Sequence, residues 1–226
     1  MAAILFDLDG TLLDRDASLK RFLEEQYDRF SGLFVGVNRS LYIGTVVELD
    51  RFGHVLKPVV YAQVREKFGL STGSEQLLLE DFEMYFHSLA IPFPGMHCLL
   101  QELLERDWRL GLVTNGSTRS QRPKIEALGI ADYFATILIS EEQGVKKPDS
   151  EIYHRAMREL NAIAKTTIFV GDHPEADIAG AGNLGLFTIW KRNICWPPPK
   201  KVDAVIDGLD EIPKIVEAWR LAKKIK

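Results

Sequence analysis

The feature of this sequence that most constrains its fold is a series of short apolar runs that end abruptly in polar or turn residues. These runs cover residues 3–8, 110–114, 136–140, 167–171, 186–190 and 204–206. Their apolar residues are continuous rather than alternating, which is typical of β-strands buried on both faces. Segments with helical spacing of apolar residues lie between the runs. Because strands that alternate with helices form parallel sheets, the pattern predicts an α/β fold with a doubly wound parallel sheet.

The stretch from Arg15 to Pro92 departs from this alternation. It contains several amphipathic helical patterns and no convincing strand, and it is followed by a stiff linker in which Pro92 and Pro94 restrict the backbone. The sequence therefore predicts two domains. A smaller α-helical domain of residues 15–92 is inserted into an α/β core domain formed by residues 1–14 and 93–226.

Composition excludes several classes of protein. The net charge of −4 and the pI near 5.8 argue against a nucleic-acid-binding protein, which carries a strong basic excess. Two distant cysteines, Cys98 and Cys195, favour a reducing compartment over a disulfide framework. No run approaches the ~20 apolar residues that a membrane span needs. We therefore expect a cytoplasmic protein that binds neither nucleic acid nor membrane, and the sequence gives no indication of its oligomeric state.

The first strand is followed by two acidic residues, Asp7 and Asp9, and by Gly10, which permits a sharp turn. A carboxylate at the carboxyl end of a parallel strand can attack phosphorus, and a second one can serve as an acid. One alternative is an acidic turn without function. Another is an EF-hand calcium loop, but the glycine is in the wrong position and Ser18 replaces the closing glutamate. The motif favours catalysis.

The ends of two later strands also carry polar residues. Thr114 and Asn115 precede a helix that begins soon after Ser117, where a hydroxyl and backbone N–H groups suit a phosphate. An ordinary helix cap by Ser117 or Thr118 explains this segment equally well. Lys147 follows the third strand and can stabilise phosphate charge, although a solvated loop lysine is the simpler interpretation of this segment alone.

The fourth strand ends before Asp172, and Asp177 follows five residues later. Magnesium prefers one or two carboxylates with water and substrate oxygens, which these residues can supply. For His173 a structural role in the loop is favoured over metal ligation. Because Asp7, Asp9 and Asp172 would crowd negative charge at one edge of the sheet, a divalent cation is expected there.

This set of motifs resembles the haloacid dehalogenase (HAD) superfamily of hydrolases, over nearly the whole chain. The four family motifs occur in order as Asp7 to Thr11, Thr114 to Gly116, Lys147-Pro148, and Gly171-Asp172 followed by Asp177. The helical insert resembles the subclass with an α-helical cap between the first and second motifs. The resemblance implies a Rossmann-like core, a magnesium ion and a phosphatase that forms an aspartyl phosphate.

The resemblance also implies the roles of the first two acids. Asp7 is the expected nucleophile, with its other oxygen on Mg²⁺. Asp9 is expected to protonate the leaving group and then to activate water, while its backbone carbonyl binds the metal. Crowded acidic surroundings would keep Asp9 protonated for the first step, which is a hypothesis.

Five further residues receive roles by the same resemblance. Thr114 and the Asn115 amide are expected to hold phosphate oxygens, and Lys147 to neutralise charge on Asp7 and the phosphoryl group. Asp172 is expected to be a direct metal ligand, and Asp177 an outer ligand or orienting group.

Other functions remain open at this stage. Dehalogenases and phosphonatases of the superfamily lack the second aspartate, so Asp9 argues against them, whereas a mutase of the β-phosphoglucomutase type keeps both. A phosphate-binding regulatory protein without turnover is a further alternative. We expect a small phosphorylated metabolite as the substrate, without a prediction of which one. Several residues of the helical insert can contact it or can equally well serve packing and solvation: Arg39, Tyr42, Arg51, Phe52 and His54.

Overall fold

The computed structural model describes residues 2–53 and 55–223. The chain divides into two compact units. One consists of Met1–Asp14 with Pro92–Lys226, which we call the α/β unit, and the other is Arg15–Ile91, which we call the helical unit.

The helical unit is built from four α-helices and two short 3₁₀ turns within its described residues. The helices are α1 (Arg15–Arg29), α2 (Arg39–Asp50), α3 (Lys57–Phe68) and α4 (Ser74–Tyr85), and the 3₁₀ turns are Arg51–Gly53 and Phe86–Leu89. Apolar patterns in the sequence correspond to α1, α3 and α4, but α2 was not recognised. The reason is that α2 buries Thr45 and Asp50 together with Tyr42 and Val46, so polar residues interrupt its apolar stripe.

A polar network lies inside this helical unit, around the buried side chain of Gln26. Its Nε2 atom donates to the Leu78 carbonyl at 2.8 Å and to Asp81 Oδ2 at 2.9 Å. Its Oε1 atom accepts from the hydroxyls of Tyr42 and Tyr61 at 2.6 and 3.0 Å. One glutamine therefore satisfies polar groups from three other helices, which fixes how the helices pack.

The residues of this unit that were considered as substrate contacts fall into different environments. Tyr42 is fully buried in the core, so the packing interpretation applies to it. Arg39 pairs with Asp28 at 2.9 Å on the surface. Arg51 and Phe52 have positive φ angles of 45° and 58°, and His54 lies outside the described residues.

The α/β unit contains a parallel sheet of six strands. The strands are β1 (Ala3–Phe6), β2 (Arg109–Thr114), β3 (Thr136–Ile139), β4 (Thr167–Gly171), β5 (Phe187–Lys191) and β6 (Ala204–Ile206). Their order is β3-β2-β1-β4-β5-β6, and each neighbouring pair is parallel. The sheet confirms the predicted doubly wound α/β fold. Its order changes direction between β1 and β4, where such sheets bind ligands.

Helices connect these strands. They are α5 (Met96–Glu105), α6 (Thr118–Ala127), α7 (Ser140–Gln143), α8 (Ser150–Glu159), α9 (Gly180–Gly182) and α10 (Ile212–Lys223), with a π-helical segment at Pro174–Ala179 and 3₁₀ turns at Ala131–Tyr133, Ala164–Thr166 and Leu209–Glu211. Ser117 caps α6 through the Ser120 N–H, and Asp149 caps α8 through the Glu151 N–H. None of the helices in the described part of the chain has the length and apolar character of a membrane span.

We expect the Gln26→Leu variant to unfold at lower urea concentration than the wild type. It deprives two buried tyrosine hydroxyls of a hydrogen-bond partner, and each unsatisfied group costs about 1–3 kcal/mol. The loss in the free energy of unfolding should therefore be at least about 2 kcal/mol, measured by circular dichroism. Gln76→Leu, an exposed position on α4, is the control and should change stability by less than about 0.5 kcal/mol. Equal effects of the two substitutions would contradict the role of the network.

Candidate active site

Three neighbouring strands bring polar residues to the carboxyl edge of the sheet. β1 lies between β2 and β4. Asp7 follows β1, Thr114 ends β2 and is followed by Asn115, and Asp172 follows β4. Because all three strands are parallel, these residues leave the sheet at the same edge, at the point where the strand order changes direction.

Lys147 reaches this edge from the loop between α7 and α8. Its Nζ atom lies 2.7 Å from Oδ1 of Asp7 and 2.7 Å from Oδ1 of Asp177, and all three residues are buried. Burial alone would lower the pKa of Lys147, but the charges of Asp177 and Asp7 raise it above its ordinary value. The side chain is therefore an ammonium ion held between two carboxylates.

Asn115 fixes the backbone of that lysine. Its Nδ2 atom donates to the Lys147 carbonyl at 2.9 Å, and its Oδ1 atom accepts from the Lys147 N–H at 2.9 Å. The side-chain amide of Asn115 is thus engaged within the protein. The predicted contact of Asn115 with phosphate accordingly concerns its backbone N–H.

Both oxygens of the Asp7 carboxylate have partners. Oδ1 accepts from Lys147, and Oδ2 accepts from the Thr11 hydroxyl at 3.2 Å. Burial raises the pKa of Asp7 well above its ordinary value, Lys147 opposes this rise, and the charges of Asp177 and Asp172 add to it. The side chain is held in one orientation in surroundings that disfavour its negative charge.

Asp7, Asp172 and Asp177 form a buried group of three carboxylates, and one oxygen from each lies within 4.8 Å of the other two. Burial, reinforced by the charge of Asp177, raises the pKa of Asp172 to about 7. The Lys147 ammonium contributes one positive charge beside these three acids. Oxygen donors in this number suit a hard divalent cation, so the group can hold one.

Asp172 is held from the backbone and from the side chain. Its carbonyl accepts from Trp190 Nε1 at 2.6 Å, and its Oδ2 atom accepts from Asn193 Nδ2 at 2.7 Å. Gly10 makes room for it, because a Cβ atom at residue 10 would lie 2.3 Å from Asp172 Oδ2. The φ angle of +83° at Gly10 also favours glycine.

Asp177 is held by the segment that follows β4. Its Oδ2 atom accepts from the His173 N–H at 2.9 Å, and Gly171 lets it approach the strand, since a Cβ there would lie 2.3 Å from the Asp177 Cβ. The His173 ring accepts at Nδ1 from the backbone N–H groups of Glu175 and Ala176, both at 3.1 Å. This confirms the structural interpretation of His173.

Asp9 differs from the other acids, because its carboxylate is outside the group of three. It lies beside Lys124 Nζ, at 2.8 and 3.1 Å, and beside Gln121 Nε2, at 2.8 Å. Two residues of α6, a cation and an amide, contact its carboxylate. The metal contact predicted for Asp9 concerns its backbone carbonyl.

Several residues of this site were not found from the sequence. Gln121 and Lys124 are three positions apart on one face of α6, so their spacing was a signal, but lysine and glutamine in a helix are usually solvated. Trp190 lies within β5 and Asn193 follows that strand, and no motif marked either residue. Their contacts depend on the order of the strands in space rather than on spacing along the chain.

Comparison with known proteins agrees with this geometry. Residues 4–191 match the model of the haloacid dehalogenase-like hydrolases. The chain is 31% identical to the pyrimidine 5'-nucleotidase PynA of Streptococcus pneumoniae, over 83% of this chain and 82% of that protein. It is 32% identical to a ribulose-1,5-bisphosphate 5-phosphatase of Halopiger xanaduensis, over 83% of each. A HAD phosphatase from Thermococcus onnurineus superposes with a TM-score of 0.65 at 25% identity, covering 96% of this chain and 98% of that one.

The matched model spans most of the chain, and the two relatives each cover more than two thirds of it. The six-stranded parallel sheet also agrees with the Rossmann-like core that the resemblance predicted. The protein therefore belongs to the haloacid dehalogenase-like hydrolases.

Proposed function

We propose that this protein is a Mg²⁺-dependent phosphatase that hydrolyses a small-molecule phosphate monoester through a phosphorylated Asp7. The observation that carries the proposal is the buried Asp7 carboxylate, which contacts the Lys147 ammonium at 2.7 Å beside Asp172 and Asp177. The relatives named above are phosphatases with small phosphorylated substrates, which supports the same reaction.

The first step is the transfer of the phosphoryl group to the protein. An oxygen of Asp7 forms a bond to phosphorus while the ester P–O bond breaks, and Asp9, in its protonated form, gives its proton to the departing oxygen. Lys147 and Thr11 hold the Asp7 carboxylate in a fixed orientation for this attack. Lys147 also offsets the negative charge that collects around the phosphoryl group.

The second step returns Asp7 to its starting state. Asp9 takes a proton from a water molecule as the water oxygen attacks phosphorus, and the bond between phosphorus and Asp7 breaks to release inorganic phosphate. The Thr114 hydroxyl and the backbone N–H of Asn115 hold phosphate oxygens through both steps. Both residues are at the carboxyl end of β2, beside the strand that precedes Asp7.

Asp7, Asp172 and the Asp9 carbonyl are the groups that would hold Mg²⁺, with Asp177 as an outer group that orients Lys147. A bound Mg²⁺ would supply positive charge to the phosphate oxygens in the transition state. The carboxylate donors of the acidic group fit this ion, because Mg²⁺ is bound by oxygen ligands.

The helical unit is proposed to be the cap domain of the enzyme. It is inserted in the chain between β1 and β2. The nucleotide and sugar bisphosphate named for the two relatives define the first substrates to test. A panel of nucleoside monophosphates, sugar phosphates and other small monoesters, with released phosphate as the readout, would identify the substrate class.

We expect the Asp7→Asn variant to lose all measurable release of phosphate in Mg²⁺, because an amide does not form the acyl phosphate. Circular dichroism should show unchanged helix content. Asp132→Asn, an exposed position outside the site, is the matched control and should retain full activity. Turnover by Asp7→Asn would contradict the covalent role. If the wild type isomerises a sugar phosphate without releasing phosphate, the protein is a mutase. If the wild type binds phosphate and catalyses neither reaction, it is a regulatory protein.

We expect proton binding by Asp172 to oppose metal binding. Its pKa is raised from 3.8 to about 7 in the folded chain. The stability that this group contributes is therefore complete below about pH 4 and is lost as the pH rises to about 7. In EDTA, the difference in melting temperature between the wild type and Asp172→Asn should fall over this interval, and Mg²⁺ should stabilise the wild type most near pH 7. If the difference in melting temperature between the two proteins in EDTA does not change with pH, Asp172 does not bind a proton over this interval.

A further inference from the structure

The helix α6 presents two side chains to the Asp9 carboxylate. Lys124 Nζ lies 2.8 Å from Oδ1 and 3.1 Å from Oδ2 of Asp9, and Gln121 Nε2 lies 2.8 Å from Oδ2. The two helix residues are also joined to each other, since Lys124 Nζ donates to Gln121 Oε1 at 2.9 Å. Both oxygens of Asp9 are therefore contacted by one connected pair.

The burial of this pair is unusual for such residues. Gln121 is 2% exposed and Lys124 is 5% exposed, whereas lysine is almost never this buried unless it is paired. A buried ammonium destabilises the fold unless charge partners and hydrogen bonds compensate for its lost hydration. Asp9 and Gln121 provide this compensation, so the arrangement of α6 depends on the position of the Asp9 side chain.

Gln121 also connects Asp9 with the predicted phosphate site. Its Nε2 atom contacts the Thr114 hydroxyl at 2.7 Å as well as Asp9. Gly116 gives this side chain its space, because a Cβ at residue 116 would lie 2.8 Å from Gln121 Cγ. One amide group thus sets the distance between the proposed acid and a proposed phosphate-binding hydroxyl.

We propose that Lys124 and Gln121 are positioning residues that hold the Asp9 carboxyl group for both of its proton transfers, as the acid in the first step and as the carboxylate in the second. This inference rests on the proposed function, in which Asp9 protonates the departing oxygen and then accepts a proton from water. Lys124 acts on Asp9 alone, whereas Gln121 acts on Asp9 and on Thr114. Loss of Lys124 should therefore affect turnover, and loss of Gln121 should affect turnover and substrate binding.

The Lys124→Met variant tests the role of the ammonium, because methionine keeps an unbranched apolar stem. We expect kcat to fall about 10- to 100-fold and KM to stay within about twofold of the wild-type value. The fall in kcat is a part of the ~10²–10⁴-fold that acid–base catalysis contributes. Gln121→Leu should lower kcat and also raise KM. The matched control is Arg122→Met on the same helix, since Arg122 is half-exposed and pairs with Glu142 at 2.6 Å. It should leave both constants unchanged.

Two further measurements separate positioning from a structural role. The leaving group of p-nitrophenyl phosphate needs no proton. With this substrate, Lys124→Met should still transfer the phosphoryl group to Asp7, but it should hydrolyse the aspartyl phosphate more slowly. Aspartyl phosphate should therefore accumulate in Lys124→Met, as detected by intact mass after acid quenching. A crystal structure of the same variant, without added metal, should show the Asp9 carboxylate moved from its wild-type position. If this variant does not fold, Lys124→Gln is measured by the same criteria.

The inference is overturned if Lys124→Met and Arg122→Met have equal kcat values, or if the variant loses activity only through KM. An unmoved Asp9 carboxylate, or no accumulation of aspartyl phosphate, would also overturn it. Failure of the proposed function is distinguishable, because the wild type itself would then release no phosphate and form no aspartyl phosphate.

Discussion

The contact on which the site depends is the one between the Lys147 ammonium and the carboxylates of Asp7 and Asp177. Each of these residues is almost completely buried, and an isolated charge at such a position would strongly destabilise the fold. The three residues are far apart in the sequence, and the pairing of β1 with β4 brings the segments that carry Asp7 and Asp177 together. The side chain of Asn115 then holds the Lys147 backbone through two hydrogen bonds of 2.9 Å. Charge compensation and strand order thus depend on each other.

The sequence predicted the sheet well because its strands are buried on both faces. Such strands must be continuously apolar, and this leaves a signal that does not depend on distant residues. The helix α2 left no such signal, because its buried face includes Thr45 and Asp50. The buried Asp50 is tolerated there because Arg15 and Lys57 pair with its carboxylate. Local pattern is therefore informative where burial is apolar, and it fails where burial is polar.

The same distinction applies to the candidate site. The acids at the ends of β1 and β4 could be predicted, because a parallel sheet places the ends of its strands at one edge. Lys124 could not be predicted, because a lysine in a helix is normally solvated. Its burial, at 5% exposure, follows only from the packing of α6. The ion pair of Asp9 with Lys124 was not predicted, for the same reason. The sequence shows that Asp7 lies two residues from Asp9. It does not show that Lys124, more than a hundred residues away in the chain, contacts Asp9.

The two aspartates of the first motif each pair with a different lysine. Asp7 and Asp9 are two residues apart, yet Lys147 contacts the first and Lys124 contacts the second. The Asp7 side chain is 10% exposed and shares its surroundings with two further acids, whereas the Asp9 side chain is 24% exposed and faces an ammonium and an amide. Different surroundings are what allow two carboxylates of one site to take different roles in a reaction. The proposed nucleophile and the proposed proton carrier are therefore distinguished by the lysine that each of them contacts.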